Sequence, residues 1–215
     1  MRRKGGISAD RRKDGYVWVF TNLLDVAFVY SESRDAATPQ SILSNFRGVL
    51  ISDFYASYDS IPCTQQKCLI HLMRDLNEDL SKQPFNEEMK VLAQNFANLV
   101  KPIIETVDRF GLKAYHLRRH KDTVNRFYEV LARRDYKTDV AISYKKRLER
   151  NSGKLFAFLD YDGIPWNNNN GEHAIKAFVR LRRIIDGKSS PKGITDYLVL
   201  LKCLRDLQVQ GHELS

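Results

Sequence analysis

Two acidic residues, Asp53 and Glu172, lie where a carboxylate could do chemistry. Asp53 ends an apolar stretch at 48–53 that predicts a buried strand, and open α/β sheets place ligand sites at the carboxyl ends of their strands. Glu172 comes shortly after a run of four asparagines and begins a segment with helical spacing. Each acid alone also has a structural explanation. Asp53 could cap a turn, and the helix dipole favours an acid in a first turn.

A cysteine and a histidine two residues apart, Cys68 and His71, have the spacing of a zinc half-site, and Cys63 lies nearby. A structural zinc site needs about four ligands, and the sequence offers no second pair of Cys or His residues at that spacing. We therefore interpret Cys68 as a small buried thiol. Cys203 falls on an apolar helical face and is predicted to lie in the core.

The elements that would position these residues are predicted from periodicity and turn signals. The first 80 residues indicate a mixed α/β structure, because aromatic and β-branched runs alternate with short helical patterns. In chain order the predictions are a hairpin formed by 16–20 and 26–30, a short helix at 39–46, the strand at 48–53, and a short apolar run at 67–71 that merges into helical spacing at 72–80.

Residues 85–160 are predicted to be helical throughout. Apolar residues recur every three or four positions from Met89 to Phe110, which predicts a core-facing helix of about six turns. Pro102 lies inside this helix and is expected to kink it. Further helices are predicted from 124–131, 140–148, 172–185 and 194–207.

Composition and charge narrow the class of protein. With 43% hydrophobic and 28% charged residues, the 215-residue chain has the composition of a globular protein of one or two domains. No apolar run approaches the roughly 18 residues of a membrane span, and no secretory signal is recognised. Three cysteines give no disulfide framework and fit a reducing compartment. The sequence therefore predicts a cytoplasmic protein.

The basic residues are concentrated in three segments. The formal net charge of the chain is +9, but residues 1–14 carry +4, residues 113–150 carry +7 and residues 176–192 carry +5, so the remainder is acidic. Such segments indicate a polyanionic partner, usually a nucleic acid. The same pattern is also typical of solvated helix faces.

Two stretches of the sequence carry motifs that resemble a known family. One is SDFYASYD at 52–59, followed by QQKCLIHLMRDLNEDL at 65–80. The other is IPWNNNNGEHAIK at 164–176, followed by RLRR at 180–183. Together they resemble the transposases of the insertion sequence 66 (IS66) family, and the similarity runs from about residue 14 to residue 201.

The resemblance implies a DDE recombinase. In such proteins three carboxylates on a ribonuclease H-like fold hold two divalent ions, Mg²⁺ or Mn²⁺, which assist hydrolysis of a phosphodiester bond and strand transfer. By motif, Asp53 matches the second acid and Glu172 the third. The implied fold is α/β, a ribonuclease H-like mixed sheet with a missing or degenerate first strand and a large all-helical insertion before the last catalytic helix.

The resemblance also implies where DNA is bound. The histidine and arginine of the Cys-x-x-His-x-x-Arg pattern are expected near phosphate, and the basic residues after Glu172 are expected to hold the DNA backbone. The predicted DNA-binding residues are His71, Arg74, Lys176, Arg180, Arg182 and Arg183. The implied partners are transposon ends and target DNA in a prokaryotic cytoplasm, with nucleoid association on DNA and no membrane. Assembly of several copies on DNA is left open.

The front of the chain departs from the family pattern. The family's first acid, within an Asp-Glu-Thr-like triplet, should fall near Lys4, but residues 1–14 contain no such triplet and predict no apolar strand. Asp10 is the available replacement before Asp14. We therefore expect a truncated, inactive transposase region. Two alternatives are a non-catalytic DNA-binding remnant and an autonomous ribonuclease H-like nuclease that uses Asp10.

The predicted domain organisation follows from these patterns. Residues 1–14 form a basic leader, residues 15–84 and 161–215 form the catalytic core, and residues 85–160 form the helical insertion.

Overall fold

A computed structural model describes residues 6–10, 13–22, 25–185 and 189–213. This part of the chain forms a mixed α/β structure that is mostly helical, with two small sheets. It divides into two compact units. The first unit comprises Met1–Asn45, Ser57–Ile61 and Asn169–Ser215, and the second comprises Phe46–Ala56 and Pro62–Asn168.

The first unit contains an antiparallel sheet of three strands in the order β1-β2-β3. Its strands are β1 (Gly6–Asp10), β2 (Lys13–Thr21) and β3 (Val26–Ser31). The predicted hairpin is confirmed, because β2 pairs with β3 from Tyr16 opposite Ser31 to Thr21 opposite Val26. Strand β1 lies where the sequence predicts no strand. It pairs with β2 through its backbone, and an edge pairing of that kind does not require an apolar sequence.

Three helices complete the first unit: α1 (Ala37–Ile42) after the sheet, and α8 (Asn169–Ile184) and α9 (Pro191–Glu213) towards the end of the chain. Helix α1 is shorter than predicted and begins earlier. Helix α8 packs on β2 and α9 packs on β3. Their apolar side chains form one buried cluster with the sheet: Val17, Phe178, Ile194, Leu198 and Leu201.

Cys203 does not belong to this cluster, and its predicted core position is wrong. On α9, Ile194, Leu198 and Leu201 are buried at intervals of four and three residues, so they lie on one helical face. Cys203 follows Leu201 by two residues, about 200° around the helix, and is exposed.

The second unit contains a parallel pair of strands, β4 (Val49–Ser52) and β5 (Thr64–Lys67). Strand β4 confirms the predicted strand, and Asp53 follows it directly. Strand β5 is not predicted, because its sequence is polar. It pairs with β4 from Thr64 opposite Val49 to Lys67 opposite Ser52.

Six α-helices follow β5 in the second unit, α2 to α7 in chain order. They are α2 (Leu69–Lys82), α3 (Glu87–Phe110), α4 (Ala114–Leu117), α5 (Lys121–Arg133), α6 (Asp139–Arg150) and α7 (Ser152–Leu155). The predicted helical character of residues 85–160 is confirmed. Their apolar faces enclose a single large core that includes Leu72, Phe96, Leu117, Leu148 and Phe158, each at most 1% exposed.

Helix α3 has clear local signals at both ends. The Asn86 side chain accepts a hydrogen bond from the Met89 backbone N–H at 3.0 Å, which satisfies a donor of the first turn. The helix stops at Gly111, whose φ of 70° is a left-handed conformation that glycine adopts without strain. Pro102 lies inside one continuous helix. Among the described residues, no helix is long and apolar enough to cross a bilayer.

Candidate active site

Asp53 lies immediately after β4 and is half-buried. Its Oδ1 atom accepts a hydrogen bond from the Tyr55 backbone N–H at 2.9 Å, a local turn that fixes the carboxylate orientation. No other hydrogen bond of this carboxylate is found in the part of the chain that the structure describes. One oxygen of Asp53 is therefore held by the backbone, while the other can serve an external ligand.

A buried polar pair lies next to Asp53: Ser52 precedes it in the chain, and Lys67 lies opposite Ser52 on β5. Ser52 is 3% exposed and Lys67 is 1% exposed, and these two residues are partners in the β4–β5 register. The Lys67 Nζ atom donates a hydrogen bond to Ser52 Oγ at 3.2 Å, and Ser52 Oγ in turn donates to the Asp53 carbonyl at 3.0 Å. Sequence reasoning missed Lys67, because a lysine in a polar segment is normally expected at the surface.

Cys68 extends the ladder by one residue beyond β5. Its backbone N–H donates to the Ser52 carbonyl at 2.9 Å, and its side chain is fully buried. The Asn168 backbone N–H donates to the Cys68 Sγ atom at 3.3 Å. Burial by itself raises the pKa of this thiol, but hydrogen bonds from His71 and from Asn168 outweigh it, and the pKa of Cys68 lies below its ordinary value.

Backbone hydrogen bonds connect the asparagine-rich segment to the start of α2. Leu69, the first residue of α2, donates its N–H to the Trp166 carbonyl at 3.0 Å. With the Asn168 contact to Cys68, two hydrogen bonds fix the chain immediately before α8 begins at Asn169. His71 is half-buried in the first turn of α2, and Arg74 is exposed one turn further along the same helix.

Glu172 lies in the first turn of α8 and is half-buried. The buried face of α8 is marked by Ala174 and Phe178, at 2% and 1% exposure. Lys176, Arg180 and Arg183 follow Glu172 at intervals of four, eight and eleven residues, which places them along one stripe of the helix. All three basic residues are exposed, while Arg182 is half-buried.

The candidate site residues fall in both units. Asp53, His71 and Arg74 belong to the second unit, whereas Glu172, Lys176 and the arginines of α8 belong to the first. The predicted approach of the Asp53 and Glu172 carboxylates therefore remains a prediction. The position near Lys4 expected for a first acid lies outside the described residues, as does the side chain of Asp10, whose backbone pairs with Lys13.

The side chains available to a metal ion have the oxygen ligands that magnesium prefers, but they do not form a complete set of protein ligands. Magnesium prefers oxygen ligands and is commonly held by one or two carboxylates together with waters and substrate phosphates. Asp53 supplies such an oxygen after β4, and Glu172 supplies another on α8. Within the described ranges, no three residues among His, Cys, Asp and Glu lie close enough together to form a complete protein site.

The basic segment at 113–150 is partly neutralised. Arg118 and Lys121 both contact Asp160, at 3.7 and 3.0 Å, and Arg147 contacts Asp75 at 2.8 Å. Other cations of the segment are exposed and have no ion-pair partner among the described residues: Lys113, Arg119, Arg126, Arg133, Lys146 and Arg150. These six residues supply the positive charge that remains available to a polyanion.

Asp53 follows a strand of an α/β unit, and Glu172 lies in the first turn of a helix that carries a basic stripe. The chain matches the family model described as "Transposase IS66 family" over residues 5–196. The chain therefore belongs to the IS66 family of transposases. No curated protein and no solved structure matches it. Family membership connects the chain with transposition and with DNA as its partner.

Proposed function

We propose that this chain is the catalytic region of a DDE-type transposase, on a ribonuclease H-like fold, that acts on insertion-sequence DNA. The observation that carries the proposal is the family match over residues 5–196, which includes both acids in their motif segments. The chain order supports the fold: three antiparallel strands, a helix, and then a strand that leads directly into Asp53.

In this proposal, Asp53 and Glu172 hold Mg²⁺ or Mn²⁺. A bound divalent ion would activate a water or a DNA 3′-hydroxyl and stabilise charge on the phosphate oxygens. The protein supplies orientation. The Tyr55 N–H fixes one Asp53 oxygen, and the first turn of α8 carries Glu172.

The basic residues hold the DNA backbone in this proposal. Lys176, Arg180 and Arg183 extend along α8 from Glu172, so a phosphodiester near the acid would meet cations over about three helical turns. Arginine is suited to this role because its planar fork donates two hydrogen bonds to one phosphate. His71 and Arg74 on α2 are proposed to contact phosphate on the Asp53 side.

The decisive experiment is a titration of the purified chain with Mn²⁺. The electron paramagnetic resonance signal of free Mn²⁺ measures how much of the ion is bound. Loss of even an outer-shell partner lowers metal affinity by about 10–100-fold, so Asp53→Asn and Glu172→Gln should each weaken binding by at least that much. If both acids hold one ion, the double variant should bind little more weakly than either single variant, because losses at one shared site do not add.

Two controls match the local surroundings of the acids. Asp162 accepts a single backbone N–H from Ala114 at 2.7 Å, as Asp53 does from Tyr55, and Asp122 lies in the first turn of α5, as Glu172 does in α8. Asp162→Asn and Asp122→Asn should leave Mn²⁺ affinity unchanged. Wild-type affinity in both active-site variants, or equal losses in the controls, would contradict the metal assignment.

Strand transfer is a separate expectation. Residues 1–14 contain no match to the family's first acid, and two carboxylates are expected to be insufficient for two-ion catalysis. We therefore expect this chain alone to bind DNA and one ion without measurable strand transfer. Robust magnesium-dependent strand transfer by the purified chain would show that residues 1–14, through Asp10, supply the missing ligand.

A second candidate function is DNA binding without catalysis. It is favoured by the exposed, unpaired cations of the 113–150 segment, which need no metal to bind phosphates. The two functions differ in one measurement. DNA binding that is unaffected by Mn²⁺ and by both acid substitutions, in a chain that binds no Mn²⁺, would support the non-catalytic function.

A further inference from the structure

The contact between Cys68 and Asn168 lies at the end of the asparagine-rich segment. Cys68 follows strand β5, and its Sγ atom accepts the Asn168 N–H at 3.3 Å. The next residue, Asn169, begins α8, and Glu172 lies in its first turn. At a rise of about 1.5 Å per residue, only about 6 Å of helix separates the anchored amide from the Glu172 backbone.

The surroundings of this sulfur indicate a polar role rather than packing alone. Cys68 is fully buried, and its sulfur accepts the Asn168 N–H at 3.3 Å. The sulfur is therefore the acceptor of a backbone N–H at a buried position, and a buried donor that loses its acceptor is costly.

Cys68 also contacts the strand that carries Asp53. Its backbone N–H donates to the Ser52 carbonyl at 2.9 Å, one residue before Asp53. The same residue thus binds the end of β4 through its backbone and the segment that enters α8 through its side chain. Leu69 reinforces the second connection by donating to the Trp166 carbonyl at 3.0 Å.

We propose that Cys68 is a positioning residue for Glu172: its sulfur accepts the Asn168 N–H and fixes the point from which α8 starts. The inference rests on the proposed role of Glu172 as a metal ligand. It assigns Cys68 a task in placing a carboxylate, distinct from zinc binding.

Two substitutions separate a hydrogen-bond acceptor from a volume filler. Cys68→Ser keeps an acceptor but is smaller and less apolar, whereas Cys68→Val fills the cavity and removes the acceptor. Loss of one net hydrogen bond changes a local opening equilibrium by up to about tenfold. We therefore expect amide hydrogen exchange at Asn168 to accelerate about tenfold in Cys68→Val and to stay near wild type in Cys68→Ser.

Mn²⁺ affinity is the second measurement, because a purely structural contact would not change it. In the full chain, Cys68→Val should weaken Mn²⁺ binding severalfold, and Cys68→Ser should restore it. Wild-type Mn²⁺ affinity in Cys68→Val, or a loss in Cys68→Ser that Cys68→Val does not show, would overturn the positioning role. The latter result would assign Cys68 to packing.

Glu172→Gln separates failure of this inference from failure of the proposed function. If Glu172→Gln weakens Mn²⁺ binding while Cys68→Val leaves it unchanged, only the role of Cys68 is wrong. If Glu172→Gln itself has no effect, the metal site is wrong, and the positioning role falls with it. Exchange at Asn168 still reports in that case whether the sulfur contact exists in solution.

Discussion

The side-chain amine of Lys67 donates a hydrogen bond to the Ser52 hydroxyl at 3.2 Å, and only 1% of Lys67 is exposed. A buried amine therefore lies across the parallel strand pair from the residue that precedes Asp53. Burying a polar group is costly unless hydrogen bonds satisfy it, so this pair should contribute measurably to stability.

Removing the hydroxyl of Ser52 tests this contribution. Ser52→Ala removes the acceptor of the buried Lys67 amine, and a buried polar group left unsatisfied costs about 1–3 kcal/mol. We expect the free energy of unfolding in urea to fall by about that amount. Ser81→Ala is the control, since Ser81 is exposed and its hydroxyl donates to the Asn77 carbonyl at 2.8 Å within its own helix. An equal effect of both variants would argue against a special role for the buried pair.

Gln66 should be among the most sensitive positions of the second unit. Its side chain is fully buried; Nε2 donates to the carbonyls of Lys67 and Leu155, both at 2.8 Å, and Oε1 accepts the Phe158 N–H at 2.9 Å. Gln66→Leu leaves these three backbone groups without their partner.

Each unsatisfied buried group costs about 1–3 kcal/mol, so Gln66→Leu should lower the free energy of unfolding by about 3 kcal/mol or more. Gln94→Leu provides the comparison, because Gln94 is exposed and, within the described part of the chain, its side chain binds only that of Asn98 at 2.8 Å. Urea unfolding that is unchanged in Gln66→Leu would mean that the three backbone groups find other partners.

Glu88 should make stability depend on pH. Its carboxylate accepts hydrogen bonds from the Thr138 hydroxyl, the Thr138 N–H and the Lys137 N–H, and these lower the pKa of Glu88 below its ordinary 4.5. Because the folded state holds the carboxylate in its ionised form, the stabilisation is fully present above pH 4.5. It is lost as the pH falls through the lower pKa of the folded state.

The measurement is the unfolding midpoint of wild type and Glu88→Gln between pH 7 and pH 3. Wild type should be more stable at neutral pH, and the difference should shrink below pH 4.5. Glu87→Gln is the control, because Glu87 is exposed and its only ion pair among the described residues is with Lys90. A difference that stays constant across the range would exclude the carboxylate as its source.

The basic stripe of α8 should bind DNA in a salt-dependent way. Arg180→Ala and Arg183→Ala should each weaken binding to all duplex sequences alike and reduce the log–log salt slope by about one. Lys121→Ala should change the slope less, because Asp160 already neutralises Lys121 at 3.0 Å. Fluorescence anisotropy from low to moderate salt provides the measurement. Affinity that is independent of salt, or unchanged in both arginine variants, would leave the stripe as a solvated helix face.

The sequence predicted those elements whose side-chain pattern reports burial directly. The β2–β3 hairpin has consecutive aromatic and β-branched residues, and α3 has apolar residues at helical spacing from Met89 onward, so a single periodicity identifies each. The strand that ends at Asp53 is recognisable for the same reason. The family motifs fixed the identities of Asp53 and Glu172 as candidate acids before any contact was known.

Tertiary structure decided the positions where polarity and burial disagree. Strand β5 has the sequence TQQK, yet Gln66 and Lys67 are buried, because Leu155, Phe158 and Ser52 supply hydrogen-bond partners that lie 15 to 92 residues away. Cys203 shows the converse, an apolar residue left exposed because the neighbouring face of α9 already covers β3. The Cys68–Asn168 contact joins residues 100 positions apart. The local sequence pattern does not predict such contacts. Their energy depends on the hydrogen-bond partner that the folded chain brings to the buried atom from a distant part of the sequence.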